Sequence, residues 1–225
     1  VEPQSDGTFV IACDDDGKGM DEETMIEKFL VLGATAKEGA AGAAGGFGKA
    51  KELLLLPWIS WRLYSRDRMI DGSGIDYTIQ EVPYRKGTRL EVVMPADKTT
   101  NHAKALSFVE KCYLPHIRFT VNGTPAFANL TATQVVGEVP EKAVIKYLPT
   151  SEDDKRNYIY VRTHGIWMFS LYVSAVPGQL LVELIAPSID ILTANRDGFR
   201  DWSVRSAIEK LTERVAKDTI SALQD

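Results

Sequence analysis

The sequence predicts an α+β protein built from two units that meet near residue 98. Two observations predict the fold class. Apolar and polar residues alternate in 58–94, and again at intervals within 142–185, which is typical of strands. Apolar residues recur at helical spacing after Asp21 and from about Ser203. Because strands and helices occur in both halves of the chain, each half is expected to fold as its own α+β unit.

A change in composition at 95–100 separates the two halves. This stretch has proline, polar residues and no strand or helix pattern, and therefore reads as a domain boundary. We expect one domain at 1–97 and a second, smaller α+β domain at 98–225. A chain of 225 residues is long enough for two such cores.

The first unit begins with an apolar run, Phe9–Cys13, which predicts a buried strand that enters an acidic, glycine-containing loop. Asp21 is the predicted N-cap of a helix of about three turns. Glycine and alanine make up most of 33–48, a composition that cannot build a core, and 49–56 predicts a second apolar helix. Within the strand-rich region that follows, turns are predicted at Asp71-Gly72 and Lys86-Gly87.

The second unit begins with a helix predicted over Asn101–Leu114 and stopped by Pro115. A turn is predicted at Asn122-Gly123, followed by a loop-rich stretch as far as Val139. Further strands are predicted at Lys142–Leu148, Tyr158–Thr163, Trp167–Val173 and Leu180–Ile185. The last helix starts near Ser203, and its apolar face consists of Val204, Ile208, Leu211, Val215 and Ala222.

Composition and charge exclude several classes of protein. The chain has 26 Lys+Arg against 31 Asp+Glu and a net charge of −5, so it has no overall basic footprint for nucleic acid. No apolar run approaches the roughly 20 residues that span a bilayer. The two cysteines, Cys13 and Cys112, stand in apolar sequence surroundings and have no metal-ligand spacing. We therefore expect a reducing, cytoplasmic compartment and no membrane association.

The acidic string Cys13–Met20 is the first motif with chemical content. It has some features of a calcium loop, but aligning Gly17 with the invariant turn glycine puts Ala12 where the first carboxylate ligand belongs. The alternative is an acidic turn between a strand and a helix, since Asp and Gly are common in turns.

The second motif is the glycine-rich string Gly45–Lys49. It is not a Walker A loop, because Ala43 and Ala50 replace the first glycine and the hydroxyl residue. A glycine-rich segment directly before a helix does present unpaired backbone N–H groups, which can bind an anion. The alternative is a plain loop that ends in a capped helix.

Four elements, in this order, resemble the GHKL ATPase superfamily, which includes gyrase B, heat-shock chaperones, histidine kinases and MutL. Asp15–Met20 resembles the D-x-G-x-G box, and Phe29–Lys37 resembles the helix end and lid start that follow it. Gly45–Ala50 resembles the G-x-x-G-x-G box, and Gly87-Thr88 resembles the Gly-Thr element of a late strand. The resemblance implies a Bergerat-type two-layer α/β sandwich that binds ATP with Mg²⁺.

The resemblance also assigns roles to residues. Asp15 would accept a hydrogen bond from the adenine amino group, Thr88 would contact the same end of the base, and 33–48 would form a lid over the phosphates. Lys37 or Lys49 would add positive charge beside the phosphates. The positions implied for nucleotide binding are Asp15, Gly17, Gly19, Met20, Lys37, Gly46, Phe47, Gly48, Lys49 and Thr88.

The second unit resembles the transducer, or middle, domain that follows the ATP domain in MutL, gyrase B and heat-shock chaperones. The string 192–200 stands between strands and the last helix, where those proteins send a basic residue to the γ-phosphate. The resemblance makes Arg196 the candidate catalytic residue, with Asn195 orienting it. The alternative is a turn built on Asp197-Gly198.

One part of the family pattern is missing from this sequence. The family's catalytic glutamate and magnesium-binding asparagine lie on a helix before the D-x-G-x-G box, and the fourteen residues before Asp15 contain no such pair. The start at Val1 favours a fragment or a processed product. We expect this polypeptide to hydrolyse ATP poorly, because the base and the metal ligand are what assist the attack of water.

Three classes of function follow from the resemblance. The first is an ATPase in which ATP closes the lid, promotes homodimerisation and drives a conformational change. The second is a nucleotide sensor without hydrolysis. The third is a phosphotransferase like the histidine kinases. The sequence leaves open whether a nucleic acid or a protein is the client.

Overall fold

The computed structural model describes residues 2–31, 59–95, 102–148, 158–172 and 179–222. The chain divides into two compact units, one that includes 2–31 and 59–95 and another that includes the described residues from 105 onward. The boundary expected near residue 98 lies outside the described residues. No described helix is both long and apolar enough to cross a membrane.

The first unit contains one antiparallel sheet with the strand order β1-β2-β4-β3. Its strands are β1 (Glu2–Pro3), β2 (Thr8–Asp15), β3 (Ser60–Ser73) and β4 (Asp76–Pro95). β2 runs alongside the second half of β4, from Thr8 opposite Pro95 to Asp15 opposite Thr88. The D-x-G-x-G string therefore starts where a central strand ends.

The hairpin turn between β3 and β4 lies at Gly74-Ile75. The predicted turns at Asp71-Gly72 and Lys86-Gly87 are wrong, because both dipeptides lie inside strands. Gly72 serves packing, since a side chain there would overlap the indole of Trp61. A glycine that makes room for a large ring looks the same in sequence as a glycine that makes a turn.

The β3–β4 ribbon folds back on itself at irregularities around Ser65 and Arg66. Three contacts join the two ends of β3. The Ser73 hydroxyl donates to the carbonyl of Ile59 at 3.0 Å. The indole N–H of Trp61 donates to the carbonyl of Gly74 at 3.3 Å, and Arg62 pairs with Asp71 at 3.3 Å. The fold-back encloses the core of the first unit, whose buried members are Met25, Trp61, Leu63, Ile70 and Val92.

The helix after the D-x-G-x-G string is shorter and less regular than predicted. α1 has one α-helical turn, Glu22–Thr24, and continues as a π-helical turn, Met25–Phe29. The predicted N-cap is confirmed, because the Asp21 carboxylate accepts from the Thr24 N–H at 2.9 Å. The π turn places Met25 fully inside the core.

The second unit contains a five-stranded sheet with the order β10-β9-β11-β8-β7, in which only β9 and β11 are parallel. Helix α2 (His102–Glu110) leads into it and ends before the predicted stop at Pro115. The strands are β5 (Phe119–Val121), β6 (Thr124–Ala126), β7 (Gln134–Val139), β8 (Ala143–Leu148), β9 (Tyr158–Thr163), β10 (Ile166–Tyr172) and β11 (Gln179–Leu184). β5 and β6 pair separately through the predicted turn at Asn122-Gly123.

Helices α3 (Ser188–Ile191) and α4 (Trp202–Ala222) complete the second unit. α4 packs against one face of the sheet, and the predicted apolar stripe is confirmed for Val204, Ile208, Leu211 and Val215. Strand β7 was not predicted, since 124–139 reads as loop-rich in sequence. Gly137 in β7 lets the Leu211 side chain approach the strand closely.

Candidate functional site

The carboxylate of Asp15 is held in place by two backbone N–H groups at the end of β2. Its Oδ1 accepts from the N–H of Gly17 at 2.9 Å and from the N–H of Thr88 at 3.3 Å. No described residue donates to its Oδ2, and the residue is exposed. Asp15 therefore presents one hydrogen-bond acceptor outward from a fixed position.

The glycines around Asp15 permit close approach of the backbone. Gly87 has φ +76°, and a side chain there would collide with the backbone carbonyl of Asp15. Gly19 has φ +67°, and an added Cβ would lie 3.0 Å from both the Gly87 carbonyl and the Ser65 hydroxyl. At Gly17 an added Cβ would lie 2.8 Å from Oδ1 of Asp15. Side chains are therefore strained at Gly19 and Gly87, and one at Gly17 would displace the Asp15 carboxylate.

A buried hydroxyl group lies beneath the loop. Ser65 is fully buried and accepts from the N–H of Met20 at 2.7 Å. Its Oγ also lies 3.3 Å from the carbonyl of Gly87 and 3.3 Å from the hydroxyl of Thr88. Sequence reasoning missed Ser65. The available signal is that it follows Trp61 and Leu63 at the next inward-facing position of β3, where another apolar residue would be expected.

Arg66 contacts the same loop through its guanidinium group. Its Nε donates to the carbonyl of Lys18 at 3.3 Å, and its Nη1 pairs with Asp21 at 3.4 Å. Arg66 has φ +52°, which is rare for a residue with a side chain. The hydrogen bonds from Thr24 to Asp21 lower the pKa of that carboxyl group, and the nearby Arg66 lowers it further.

The remaining acidic residues of the string have other partners. Asp14 pairs with Arg85 at 2.6 Å and also with Arg89. Asp16 is fully exposed, 4.0 Å from Lys86. No group of three metal-ligating side chains occurs among the described residues, so the calcium alternative gains no support.

Cys13 is exposed, which corrects the expectation that it has apolar surroundings. Partial burial of its sulfur and the neighbouring Asp15 and Asp14 carboxylates raise the pKa of the thiol. Both effects favour the protonated thiol, which is the less nucleophilic form.

The predicted phosphate-binding residues are not part of the described structure. Lys37, Gly46, Phe47, Gly48 and Lys49 lie outside the described residues, as does the rest of the predicted lid. The described structure brings Asp15, Gly17, Gly19, Met20 and Thr88 into one site.

The loop that carries Arg196 is a compact turn in the second unit. The Thr193 hydroxyl donates to the Asp197 carboxylate at 2.7 Å, and the Arg196 N–H donates to the Thr193 carbonyl at 2.9 Å. The Thr193 N–H donates to the carbonyl of Gly198 at 3.0 Å. Arg196 itself has φ +57° and a half-buried side chain. These bonds match the turn alternative, and the role of Arg196 toward phosphate stays a prediction.

Two solved structures share the fold of this chain. The ATPase region of Saccharomyces cerevisiae topoisomerase II is similar with a TM-score of 0.53 and 10% identity, over 95% of this chain and 77% of that chain. The N-terminal domain of a DNA repair protein is similar with a TM-score of 0.50 and 15% identity, over 96% of this chain and 86% of that chain. No protein-family model and no curated protein sequence matches the chain.

The fold prediction is confirmed by these similarities. The chain has an α+β fold similar to that of the topoisomerase II ATPase region. The assignment of its second unit as a transducer-like domain stays a prediction.

Proposed function

We propose that this chain binds ATP, with the adenine base at Asp15. The observation that carries the proposal is the fixed carboxylate at the end of β2, whose Oδ1 is held by Gly17 and Thr88. A fold shared with a solved ATPase region supports the same assignment.

The chemistry of adenine suits this carboxylate. An ionised carboxylate only accepts hydrogen bonds, and the exocyclic N6 amino group of adenine only donates them here. The hydroxyl of Thr88 lies beside Asp15 on the neighbouring strand and can either donate or accept. The pair is thus complementary to the edge of adenine that carries an amino donor and a ring-nitrogen acceptor.

The phosphates are assigned to the glycine-rich segment. Gly46, Phe47 and Gly48 would supply backbone N–H groups, with Lys37 or Lys49 adding charge. Mg²⁺ would neutralise the phosphate charge when it is bound, but no described cluster of ligands fits it and we assign it to no residue.

In the proposed cycle, ATP binding would close the lid and promote a homodimer, and Arg196 is the candidate group for the γ-phosphate. A guanidinium group suits that contact because it is a planar donor with a permanent charge. Hydrolysis would then release the closed state. The similarity to a solved ATPase region supports an ATPase over a nucleotide sensor or a phosphotransferase.

The test compares two adjacent aspartates. In Asp15→Asn the amide oxygen can still accept from Gly17 and Thr88, which turns the NH₂ group toward the adenine amino group and leaves two donors facing each other. We expect ATP affinity, measured by calorimetry on the full chain, to fall about 10- to 100-fold.

Asp16→Asn is the matched control, because Asp16 is fully exposed and its ion pair with Lys86, at 4.0 Å, is long and weak. We expect it to leave ATP affinity within about twofold. Equal affinities of the unaltered chain and Asp15→Asn would refute the proposed role of Asp15. Absence of ATP binding by the unaltered chain would refute the function itself.

A further inference from the structure

We propose that Ser65 is a positioning residue for the base: it holds the Thr88 hydroxyl and the Met20 end of the loop in the arrangement that selects adenine. This inference rests on the proposed function, because it assigns how the same site recognises its ligand. Ser65 belongs to none of the sequence motifs that point to nucleotide binding.

The strand register places three polar residues in one row. Ser65 on β3 is directly opposite Thr88 on β4, and Thr88 is directly opposite Asp15 on β2. The row begins at a fully buried hydroxyl and ends at an exposed carboxylate. A change at Ser65 therefore reaches the ligand through Thr88, without direct contact.

The Ser65 hydroxyl allows two hydrogen-bond arrangements in this row. Ser65 accepts from the Met20 N–H at 2.7 Å and has a single proton to donate. That proton goes either to the Gly87 carbonyl or to Thr88, each 3.3 Å away. If it goes to Gly87, the Thr88 hydroxyl donates to Ser65 and offers lone pairs to the ligand. If it goes to Thr88, the Thr88 proton faces the ligand.

Both arrangements keep the Thr88 oxygen at one position beside Asp15 and change only the direction of its proton. The hydroxyl can thus meet either the amino donor or the ring-nitrogen acceptor of adenine. Without Ser65, the Thr88 hydroxyl loses this partner and the Met20 N–H loses its acceptor. The edge of the site that reads the base would then be less well defined.

The experiment measures ATP and inosine triphosphate binding by the full chain. Inosine has a carbonyl oxygen in place of the amino group and an N–H in place of the ring acceptor, so the ratio of the two affinities reports base recognition. We expect Ser65→Ala to lower ATP affinity about 5- to 10-fold and to reduce the preference for ATP by a similar factor. Thr88→Val should do the same, and the double variant should add little to the larger single effect.

Ser73→Ala is the matched control, since Ser73 lies on the same strand and its hydroxyl bonds to the Ile59 carbonyl at 3.0 Å. It should leave both affinities unchanged. A loss of ATP and inosine triphosphate binding by equal factors in Ser65→Ala would overturn the inference, because a purely structural role lowers both alike. If Ser65→Ala does not fold, an unchanged preference in Thr88→Val overturns it instead.

The two proposals fail in different ways. Absence of ATP binding by the unaltered chain overturns the proposed function. An unchanged preference for ATP in a Ser65→Ala chain that binds ATP overturns only the assignment of Ser65.

Discussion

Segment 13–20, which is the end of β2 and the loop after it, is built differently from loop 192–200, although each precedes a helix capped by an aspartate. Segment 13–20 is bonded by residues far away in sequence, namely Thr88, Ser65 and Arg66. In loop 192–200 the turn is closed by hydrogen bonds among Thr193, Arg196 and Asp197, while Leu192 and Phe199 anchor the loop in the core of the second unit. The polar contacts at Asp15 therefore join residues far apart in sequence, whereas those of the Arg196 turn join residues a few positions apart.

Two glycines, Gly87 on β4 beside Asp15 and Gly198 in loop 192–200, differ in how closely they are surrounded. Gly87 leaves no room for a side chain because the Asp15 backbone lies against it. At Gly198 an added Cβ would meet only the Thr193 methyl group, at 3.9 Å. A side chain is thus excluded by close neighbours at Gly87, whereas it would have only ordinary contact at Gly198.

The largest effect is expected for Gly87→Ala. The new Cβ would collide with the Asp15 carbonyl and would also occupy a φ of +76°, so β2 must separate from β4 at the site. We expect the first unit to lose more than about 3 kcal/mol of unfolding free energy, measured by denaturant unfolding with Trp61 as the buried fluorophore.

Gly74→Ala is the control for backbone strain alone. Gly74 has φ +59° with nothing within 4 Å of an added Cβ, so its replacement should lose only about 1 to 2 kcal/mol. Similar losses in both variants would contradict the close approach at Gly87.

A smaller effect is expected at the cap of α4. The Asp201 carboxylate accepts from the Ser203 N–H at 2.8 Å, the Val204 N–H at 3.3 Å and the Lys142 ammonium at 2.6 Å. Asp201→Ala should therefore lower the stability of the second unit by about 1 to 2 kcal/mol. Hydrogen exchange of the amides of α4 measures this, and Asp218→Ala, an exposed change on the same helix, should leave exchange unchanged.

The same carboxylate predicts an acid dependence. The hydrogen bonds from Lys142 and Ser203 lower the pKa of Asp201 below its ordinary value of 3.8. A lowered folded-state pKa stabilises the protein above the unfolded value, and this stabilisation is lost as the pH falls toward the folded value. Protection of α4 should thus weaken progressively as the pH falls below the ordinary value of 3.8. Asp201→Asn should show a shallower dependence, and an identical pH profile would contradict the assignment.

The smallest effect is expected for Gly198→Ala. Because the Cβ would have only ordinary contact with Thr193, stability should change by less than about 0.5 kcal/mol. Thermal unfolding of the full chain measures it. A loss as large as that of Gly87→Ala would show that Gly198 is as tightly enclosed as Gly87.

Local chemistry explains which features could be predicted from the sequence. The cap Asp21 was predicted because an aspartate directly before helical apolar spacing is typical of an N-cap. Asp15 was singled out by the resemblance of Asp15–Met20 to the D-x-G-x-G box, and its role toward adenine stays a prediction. The α4 stripe and the Asn122-Gly123 turn were found because periodicity and turn chemistry act over a few residues.

Long-range packing explains what could not be predicted. Gly72 was read as a turn because nothing nearby in sequence shows that Trp61 packs on it. Ser65 was missed because its importance comes from Met20 and Thr88, which are 45 and 23 residues away. The π turn of α1 follows from how Met25 enters the core, and helical spacing alone does not distinguish it from an α-helix.

The folded-back ribbon has a consequence for the order of folding. Its contacts join residues close in sequence, such as Ile59 with Ser73 and Trp61 with Gly74, 14 and 13 positions apart. Asp15 and Thr88, by contrast, must meet across 73 positions. Short-range contacts form early and long chain closures are slow, so the ribbon would assemble first and β2 would dock last, bringing Asp15 beside Thr88 only at the end.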